Sequence, residues 1–250
     1  MRKENEAVIT QLMGKSPYEM TKEELLAALD ACGEMARNLV GSEQKNKVRN
    51  YHEMNRIAKK GQILFTGSSL MEQFPIAEYA LSKDLGKCVY NRGIGGTTTD
   101  DFLREIDTVL FDLEPSKVFI NIGTNDINEQ SDGEYWQDHL LKNYEEILRQ
   151  MKVRLPGTMV YMMAYYPVNP TDQGPDWAKN MFKTRTNEAL NDTNSKLRKL
   201  AKKYGYSFID VNDGLKDENG QLRAEITIEG LHMYAGGYES VYDNLLKYLA

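Results

Sequence analysis

The chain has 250 residues, of which 41% are hydrophobic and 27% are charged. These proportions are typical of a globular protein and exclude an intrinsically disordered one. The 31 basic and 37 acidic residues give a formal net charge of −6, so the basic surface that a nucleic-acid partner requires is not expected. Two cysteines, Cys32 and Cys88, are too few for a disulfide framework and are predicted to be reduced, buried thiols.

Neither a secretory signal nor a membrane span is predicted. The first six residues are polar or charged apart from Met1, and no apolar segment follows them. The longest apolar stretch, residues 159–166, is far shorter than the roughly 20 residues that a membrane-spanning helix needs. We therefore expect a cytoplasmic protein with no membrane span.

Residues 1–60 are predicted to form an N-terminal helical extension. Two helix-start patterns occur in it, one at Ser16 and a capping box at Thr21. Apolar residues then recur at helical spacing from Leu25 to Leu39, which gives the helix one apolar stripe. The stripe has two interpretations: the extension packs on the main domain, or it serves as a lid or forms a homodimer.

The rest of the chain, residues 61–250, is predicted to be one α/β domain. Five short apolar runs alternate there with segments of helical periodicity. They lie at residues 63–65, 88–90, 117–120, 159–162 and 207–209. Such runs are typical of strands that are buried on both faces, and their alternation with helices predicts a doubly wound parallel sheet of about five strands. Residues 167–176, with three prolines, are predicted to form a loop, and residues 234–248 a final helix.

Small and polar residues follow these runs, at the edge of the sheet where ligands bind in open parallel folds. Ser69 follows the first run, Gly96 ends a glycine-rich stretch after the second, and Asn125 follows the third. His232 precedes the final helix. Serine, histidine and asparagine side chains are the groups that perform acyl chemistry, so their convergence at one edge predicts a site for it.

His232 is the candidate base for a serine nucleophile. The other two histidines, His52 and His139, lie within predicted helices, whereas His232 lies at a loop-to-helix boundary. Glu229, three residues earlier, is placed to bind the second imidazole nitrogen and to fix its tautomer. The alternatives are a helix cap for Ser69, a packed histidine and a solvated glutamate.

Asn125 and Gly96 are the candidate donors to a tetrahedral oxyanion, through a side-chain amide and a backbone N–H. Turn geometry for the glycines and an Asx-turn for Asn125 are the alternatives. The glycines also fit a phosphate site built on residues 93–99. A dinucleotide fingerprint fails, because it needs glycine where Thr98 stands.

Four segments together resemble the sequence blocks of the SGNH (GDSL-type) hydrolases. They are residues 65–69, 91–96, 123–126 and 229–232, in the family's order and near its spacing. The resemblance covers residues 62–248. The uninterrupted run that starts at Asn91, of the form Asn-x-Gly-x-Gly-Gly-Thr-Thr, is similar to that of esterases related to platelet-activating-factor acetylhydrolase.

The resemblance implies a flavodoxin-like, three-layer α/β/α sandwich and ester hydrolysis without metal or cofactor. It implies that Ser69 is the nucleophile and that His232 is the general base. It further implies an oxyanion hole made of the Ser69 amide, the Gly96 amide and the Asn125 side chain. The partner would be a small ester, with acetylated carbohydrates or lipids among the candidates.

Two positions depart from the family pattern. Ser68 stands where the family usually has aspartate, a replacement that leaves the nucleophile in place. Glu229 stands where the family usually has the aspartate of the catalytic triad, so Asp210 and Asp213 remain alternative acids. An acyltransferase built on the same site and a catalytically inactive ligand-binding relative remain alternative functions.

Overall fold

The structure is a computed structural model that describes residues 3–128, 135–170 and 176–250. The chain divides into two compact units, Met1–Lys47 and Val48–Ala250. The boundary that the sequence suggested, between residues 60 and 61, stays a prediction. The second unit contains the whole sheet and every candidate site residue.

The N-terminal segment is helical. It consists of α1 (Lys3–Met13), a short 3₁₀ turn (Pro17–Glu19) and α2 (Lys22–Asn55), whose last turns belong to the second unit. The capping box is present: the Thr21 hydroxyl accepts from the amide of Glu24, and the Thr21 amide donates to the Glu24 carboxylate. Ser16 starts only the 3₁₀ turn, because Met20 is extended and ends it.

Five parallel strands form one sheet, as predicted. They are β1 (Ile63–Gly67), β2 (Val89–Asn91), β3 (Lys117–Asn121), β4 (Met159–Met163) and β5 (Ser207–Ile209). The strand order is β2-β1-β3-β4-β5, with Gly67 aligned on Asn121 at the carboxyl ends of β1 and β3. This is the flavodoxin-like order, in which the direction of winding reverses beside β1 and opens a crevice there.

Eight α-helices flank the sheet in the described part of the second unit, besides 3₁₀ turns at Phe111–Leu113 and Thr124–Asp126. They are α3 (Ser69–Glu72), α4 (Ile76–Ser82), α5 (Thr99–Arg104), α6 (Ile106–Val109), α7 (Trp136–Arg154), α8 (Asp176–Met181), α9 (Asn187–Tyr204) and α10 (Ala235–Leu249). Helix α10 confirms the predicted final helix. Residues 171–175 of the predicted loop lie outside the described residues. In the described segments no helix combines the length and the apolar character that crossing a membrane requires.

The helices cover both faces of the sheet. On one face the ring of Phe65 stacks on Phe119, which stacks on Tyr161, and Tyr161 packs against Tyr248 of α10. On the other face the hydroxyl of Thr66 donates a 2.9 Å hydrogen bond to the carbonyl at the end of α6. Because neighbouring residues of a strand point to opposite faces, these contacts define the three predicted layers.

The prediction that both cysteines are buried was wrong, and by most for Cys88. Cys32 is partly buried, whereas Cys88 is exposed, and both thiols are free. Cys88 directly precedes β2, which is the edge strand of the sheet. An edge position leaves one side of the chain open to solvent, which the apolar run alone did not reveal.

Candidate active site

The end of β1 places Ser69 at the edge of the sheet. Gly67 adopts a φ of +149°, and a side chain there would lie only 1.9 Å from the carbonyl oxygen of Asn121. Only glycine allows this close approach between β1 and β3. The chain then turns at once, and Ser69 becomes the first residue of α3.

Ser69, His232 and Glu229 form one hydrogen-bonded chain. The Oγ of Ser69 lies 2.8 Å from the Nε2 of His232. The Nδ1 of His232 bonds to the Oε1 of Glu229, whose side chain is only 5% exposed. A buried carboxylate on one imidazole nitrogen and a hydroxyl on the other form the arrangement that can move a proton from a serine.

The loop that carries Glu229 and His232 is held by hydrogen bonds to its backbone carbonyls. Gly230 has a φ of +100°, and its carbonyl accepts a 2.8 Å hydrogen bond from the amide of Asn169. The hydroxyl of Thr227 donates to the carbonyl of His232 at 2.9 Å. The orientation of the imidazole is therefore set before any ligand arrives.

The alternative acids, Asp210 and Asp213, are both exposed. The Oδ1 of Asp210 accepts a 3.0 Å hydrogen bond from the amide of Asn212 and thus serves its own loop. Within the described residues, the carboxylate that contacts His232 is that of Glu229. The loop with Glu229 and His232 accommodates the methylene group by which glutamate is longer than aspartate.

The glycine-rich loop after β2 lies against Ser69. The amide of Ile94 donates to the carbonyl of Gly67 at 3.0 Å, and the amide of Gly95 donates to the carboxylate of Glu72. A side chain at Gly95 would lie 3.7 Å from the Cβ of Ser69. Gly96 is the next residue of this loop.

Asn125 is bound to the same loop. Its Nδ2 donates a 2.9 Å hydrogen bond to the carbonyl of Thr97. A side-chain amide has two N–H groups, so this contact leaves one of them for an incoming oxygen. The structure therefore brings Ser69, the loop with Gly96 and Asn125 to one edge of the sheet.

The buried carboxylate of Asp126 holds the segment with Asn125 in place from the protein interior. It is buried, and its carboxylate accepts from the amide of Thr99 at 3.0 Å and from the Thr99 hydroxyl. Burial raises the pKa of Asp126 to about 6, although the hydrogen bonds from Thr99 oppose the shift. The segment with Asn125 is thereby tied to the start of α5.

Sequence reasoning missed the residues that support the glycine-rich loop from outside. The hydroxyl of Tyr51, near the end of α2, donates to the carbonyl of Gly93 at 2.8 Å. Arg92 is buried, donates from Nε to the Oδ1 of Asn55 at 2.9 Å and lies over the Tyr51 ring. No sequence signal marked Tyr51, whereas Glu72 lies three residues after Ser69 and so on the same helix face.

No group of three or more histidine, cysteine or acidic side chains within the described ranges is placed to hold a metal ion. The polar groups at the edge of the sheet are instead a hydroxyl, an imidazole, a carboxylate and amide donors. This set is suited to acyl chemistry.

The sequence match agrees with this geometry. The model of the GDSL-like lipase/acylhydrolase family matches residues 67–239, a range that contains all the candidate site residues. The chain belongs to this family. The matched domain therefore belongs to a family of lipases and acylhydrolases, which are carboxylic ester hydrolases.

Solved structures share this fold. A Streptococcus pneumonia protein that is provisionally described as a platelet activating factor is 31% identical, with a TM-score of 0.77 over 88% of this chain and 99% of that one. A Bacteroides fragilis protein provisionally described as an acylhydrolase is 23% identical, with a TM-score of 0.66 over 80% and 94%. A mutant of an acetyl-xylooligosaccharide esterase from Geobacillus Stearmophilus is 15% identical, with a TM-score of 0.58 over 77% and 96%.

One curated relative is longer than this chain. The N-acylneuraminate cytidylyltransferase of Escherichia coli O18:K1:H7 (strain RS218 / NMEC) is 26% identical over 234 residues, which are 88% of this chain and 50% of that protein. The chain thus spans about half the length of that relative.

Proposed function

We propose that this GDSL-like enzyme is a serine esterase that removes small acyl groups, above all acetyl, from a polar carrier. The observation that carries the proposal is the continuous chain from the Ser69 hydroxyl through His232 to the buried Glu229. The fold alone is shared by many activities, so the side chains of this site and not the fold determine the reaction.

In the first half of the reaction, the Oγ of Ser69 attacks the ester carbonyl while the Nε2 of His232 takes the hydroxyl proton. Glu229 holds Nδ1–H and stabilises the imidazolium that forms. Collapse of the tetrahedral intermediate breaks the bond to the alcohol, and His232 returns the proton to the departing oxygen. The products are a free alcohol and an acyl group on Ser69.

The second half uses water as the nucleophile. His232 takes one proton from the water, the resulting oxygen attacks the acyl carbon, and the bond to the Oγ of Ser69 breaks. His232 then returns the proton to Ser69, and a carboxylic acid leaves. Transfer of the acyl group to a second alcohol would follow the same steps, with that alcohol in place of water.

The negative charge on the tetrahedral oxygen is stabilised by three donors: the amides of Ser69 and Gly96 and the second N–H of Asn125. The contact between Asn125 and Thr97 supports this role, because it fixes the side-chain amide before the charge develops. Preorganised donors of this kind contribute about 3 kcal/mol each to the transition state.

The named relatives support an acetylated carbohydrate as the first substrate to test. The Geobacillus enzyme is named for acetyl-xylooligosaccharides and the Escherichia coli relative for an N-acylneuraminate, which is an acylated acidic sugar. A cytoplasmic location is proposed because both thiols are free. The homodimer stays a prediction, which size-exclusion chromatography with light scattering tests.

A comparison of adjacent serines tests the proposed mechanism. Ser69→Ala should abolish hydrolysis of p-nitrophenyl acetate and labelling by a fluorophosphonate, whereas Ser68→Ala should retain both. Ser68 is a suitable control because it is a neighbour of the same size that is fully buried. Equal rates for Ser69→Ala and the parent enzyme would exclude the mechanism.

A further inference from the structure

Arg185 is a buried cation that the proposed mechanism does not use. It lies between α8 and α9 and is 6% exposed. Its Nη1 donates to the Sδ of Met181 at 2.9 Å, and a thioether is a weak acceptor. The Nε has no hydrogen-bond partner among the residues that the structure describes. A buried guanidinium with an unsatisfied donor is costly, so its presence calls for an explanation.

The negative charges near Arg185 compensate its positive charge only in part. Burial lowers the pKa of Arg185 to about 10, so the guanidinium is still protonated at neutral pH. Asp126 and Glu229 act on it through space and oppose the shift. Asp126 accepts its hydrogen bonds from Thr99, and the Oε1 of Glu229 is bonded to His232. Neither carboxylate satisfies the Nε of Arg185.

Arg185 lines a pocket of about 590 Å³ that begins at the candidate oxyanion donor. The lining residues are Asn125, Ile127, Asn128, Asn180, Met181, Lys183, Thr184 and Arg185. This volume is in the range of small-molecule sites. Two of these residues are cationic and none is acidic, although the chain as a whole carries a net charge of −6. Among the described lining residues the charges are thus positive beside the place where the ester would react, and the carboxylates of Asp126 and Glu229 lie behind Arg185.

We propose that the pocket with Arg185 binds an anionic group of the substrate, a carboxylate or a phosphate, on the same molecule as the scissile ester. This inference rests on the proposed function and names the substrate class for that site. Arginine presents a planar fork of N–H groups that matches two oxygens of such an anion. Lys183, which is exposed at the same pocket, adds charge without a fixed geometry.

A purely internal role for Arg185 makes a different prediction. If Arg185 only neutralised Asp126 and Glu229, its loss would slow the reaction of neutral and anionic esters by the same factor. If it binds an anion on the substrate, its loss changes the preference between the two. The ratio of kcat/KM for an anionic and a matched neutral ester is therefore the quantity to measure.

Three mono-O-acetylated sugars make the comparison: glucuronate, its neutral amide glucuronamide, and glucose 6-phosphate. The parent enzyme should prefer at least one of the anionic esters over the amide by about 10- to 100-fold, the usual effect of a buried charged hydrogen bond. Arg185→Gln should remove most of that preference, and Arg185→Lys should retain part of it. The two anionic esters distinguish carboxylate from phosphate.

Lys183→Gln is the matched control, since it removes a cation from the same pocket at an exposed position. It should reduce the preference by less than about threefold, because exposed charges contribute little. A parent enzyme without preference, or an equal loss on all three esters in Arg185→Gln, would overturn the proposal. A loss in Lys183→Gln as large as that in Arg185→Gln would also overturn the assignment to Arg185.

A binding measurement keeps the test independent of turnover and of the Arg185 variants. Calorimetry on Ser69→Ala should give a Kd at least about tenfold lower for an anionic ester than for the amide. Equal Kd values would contradict the anion pocket even if the esterase mechanism is correct. Conversely, if Ser69→Ala were as active as the parent, the mechanism would fail, and the kcat/KM ratios of the parent and Arg185→Gln would still test the pocket.

Discussion

The Oγ of Ser69 and the Nε2 of His232 lie 2.8 Å apart although 163 positions separate the two residues in the chain. Their elements are joined directly as well, because the hydroxyl of Tyr238 in α10 donates to the carbonyl of Leu70 in α3 at 2.9 Å. The helix that begins with Ser69 and the helix that follows His232 are thus in direct contact.

Acidification should reduce esterase activity. A protonated His232 cannot accept the proton of Ser69, so kcat/KM for p-nitrophenyl acetate should fall on acidification. Initial rates in buffers of constant ionic strength measure this dependence. A flat profile would exclude His232 as the base.

Glu229→Gln should lower kcat by about 10²- to 10⁴-fold, because the amide removes the charge that stabilises the imidazolium and can favour the wrong tautomer. Asp210→Asn is the control, since Asp210 is exposed and bonds to its own loop. Its kcat should stay within about twofold of the parent value. If only Asp210→Asn lowered kcat, Asp210 and not Glu229 would be the acid of the triad.

Ser68→Ala should leave the free energy of unfolding unchanged or raise it by up to about 1 kcal/mol. Ser68 is fully buried, and its hydroxyl has no hydrogen-bond partner among the described residues, so its removal relieves an unsatisfied group. Thr66→Val is the contrast: it deletes a buried hydrogen bond to Val109 and should cost about 1 to 3 kcal/mol. Urea denaturation measures the free energy of unfolding of both variants. Equal losses would contradict the different roles of the two hydroxyls.

Tyr51→Phe should lower kcat several-fold, because the loop that carries Gly96 loses the hydrogen bond at Gly93. Tyr90→Phe is the control, since the Tyr90 hydroxyl accepts from the amide of Lys59 and leaves that loop untouched. Both variants should lose about 1 kcal/mol of stability, but only the first should lose activity. Equal kcat values would show that the loop needs no such support.

Asp126→Asn should change how stability depends on pH. Folding raises the pKa of Asp126 from 3.8 to about 6. As the pH rises through this range, the unfolded chain releases the proton first, and the folded state of the parent loses up to about 3 kcal/mol. The free energy of unfolding of Asp126→Asn, relative to the parent, should therefore increase between pH 4 and 6. Asp107→Asn, at an exposed ion pair with Arg154, should show no such increase.

The sheet could be predicted from the sequence because buried parallel strands have continuous runs of apolar residues. The predicted runs at residues 117–120 and 159–162 each fall one residue short of the observed strands, and the run at 207–209 matches its strand. The capping box at Thr21 could be predicted as well, since Thr21 and its partner Glu24 are close in the sequence. Signals of this kind are local and need no knowledge of the tertiary structure.

The support of the site could not be predicted in this way. Tyr51 reaches Gly93 across 42 positions, and nothing in a helix of mixed composition distinguishes it from its neighbours. Arg185 lies in the segment Lys183-Thr184-Arg185-Thr186, which is typical of a solvated helix start, yet tertiary packing buries it. Burial of a charged residue depends on which elements surround it, and that information is not local.

The close approach of Gly67 to Asn121 has an evolutionary consequence. Ser69 and Asn125 directly follow the adjacent strands β1 and β3. The distance between these two residues therefore depends on the backbone hydrogen bonds of the sheet more than on the identity of surface side chains. The exterior of such a scaffold can diverge widely while the reacting groups keep their places. A change of substrate on this scaffold is therefore expected in loop residues that do not hold the reacting groups.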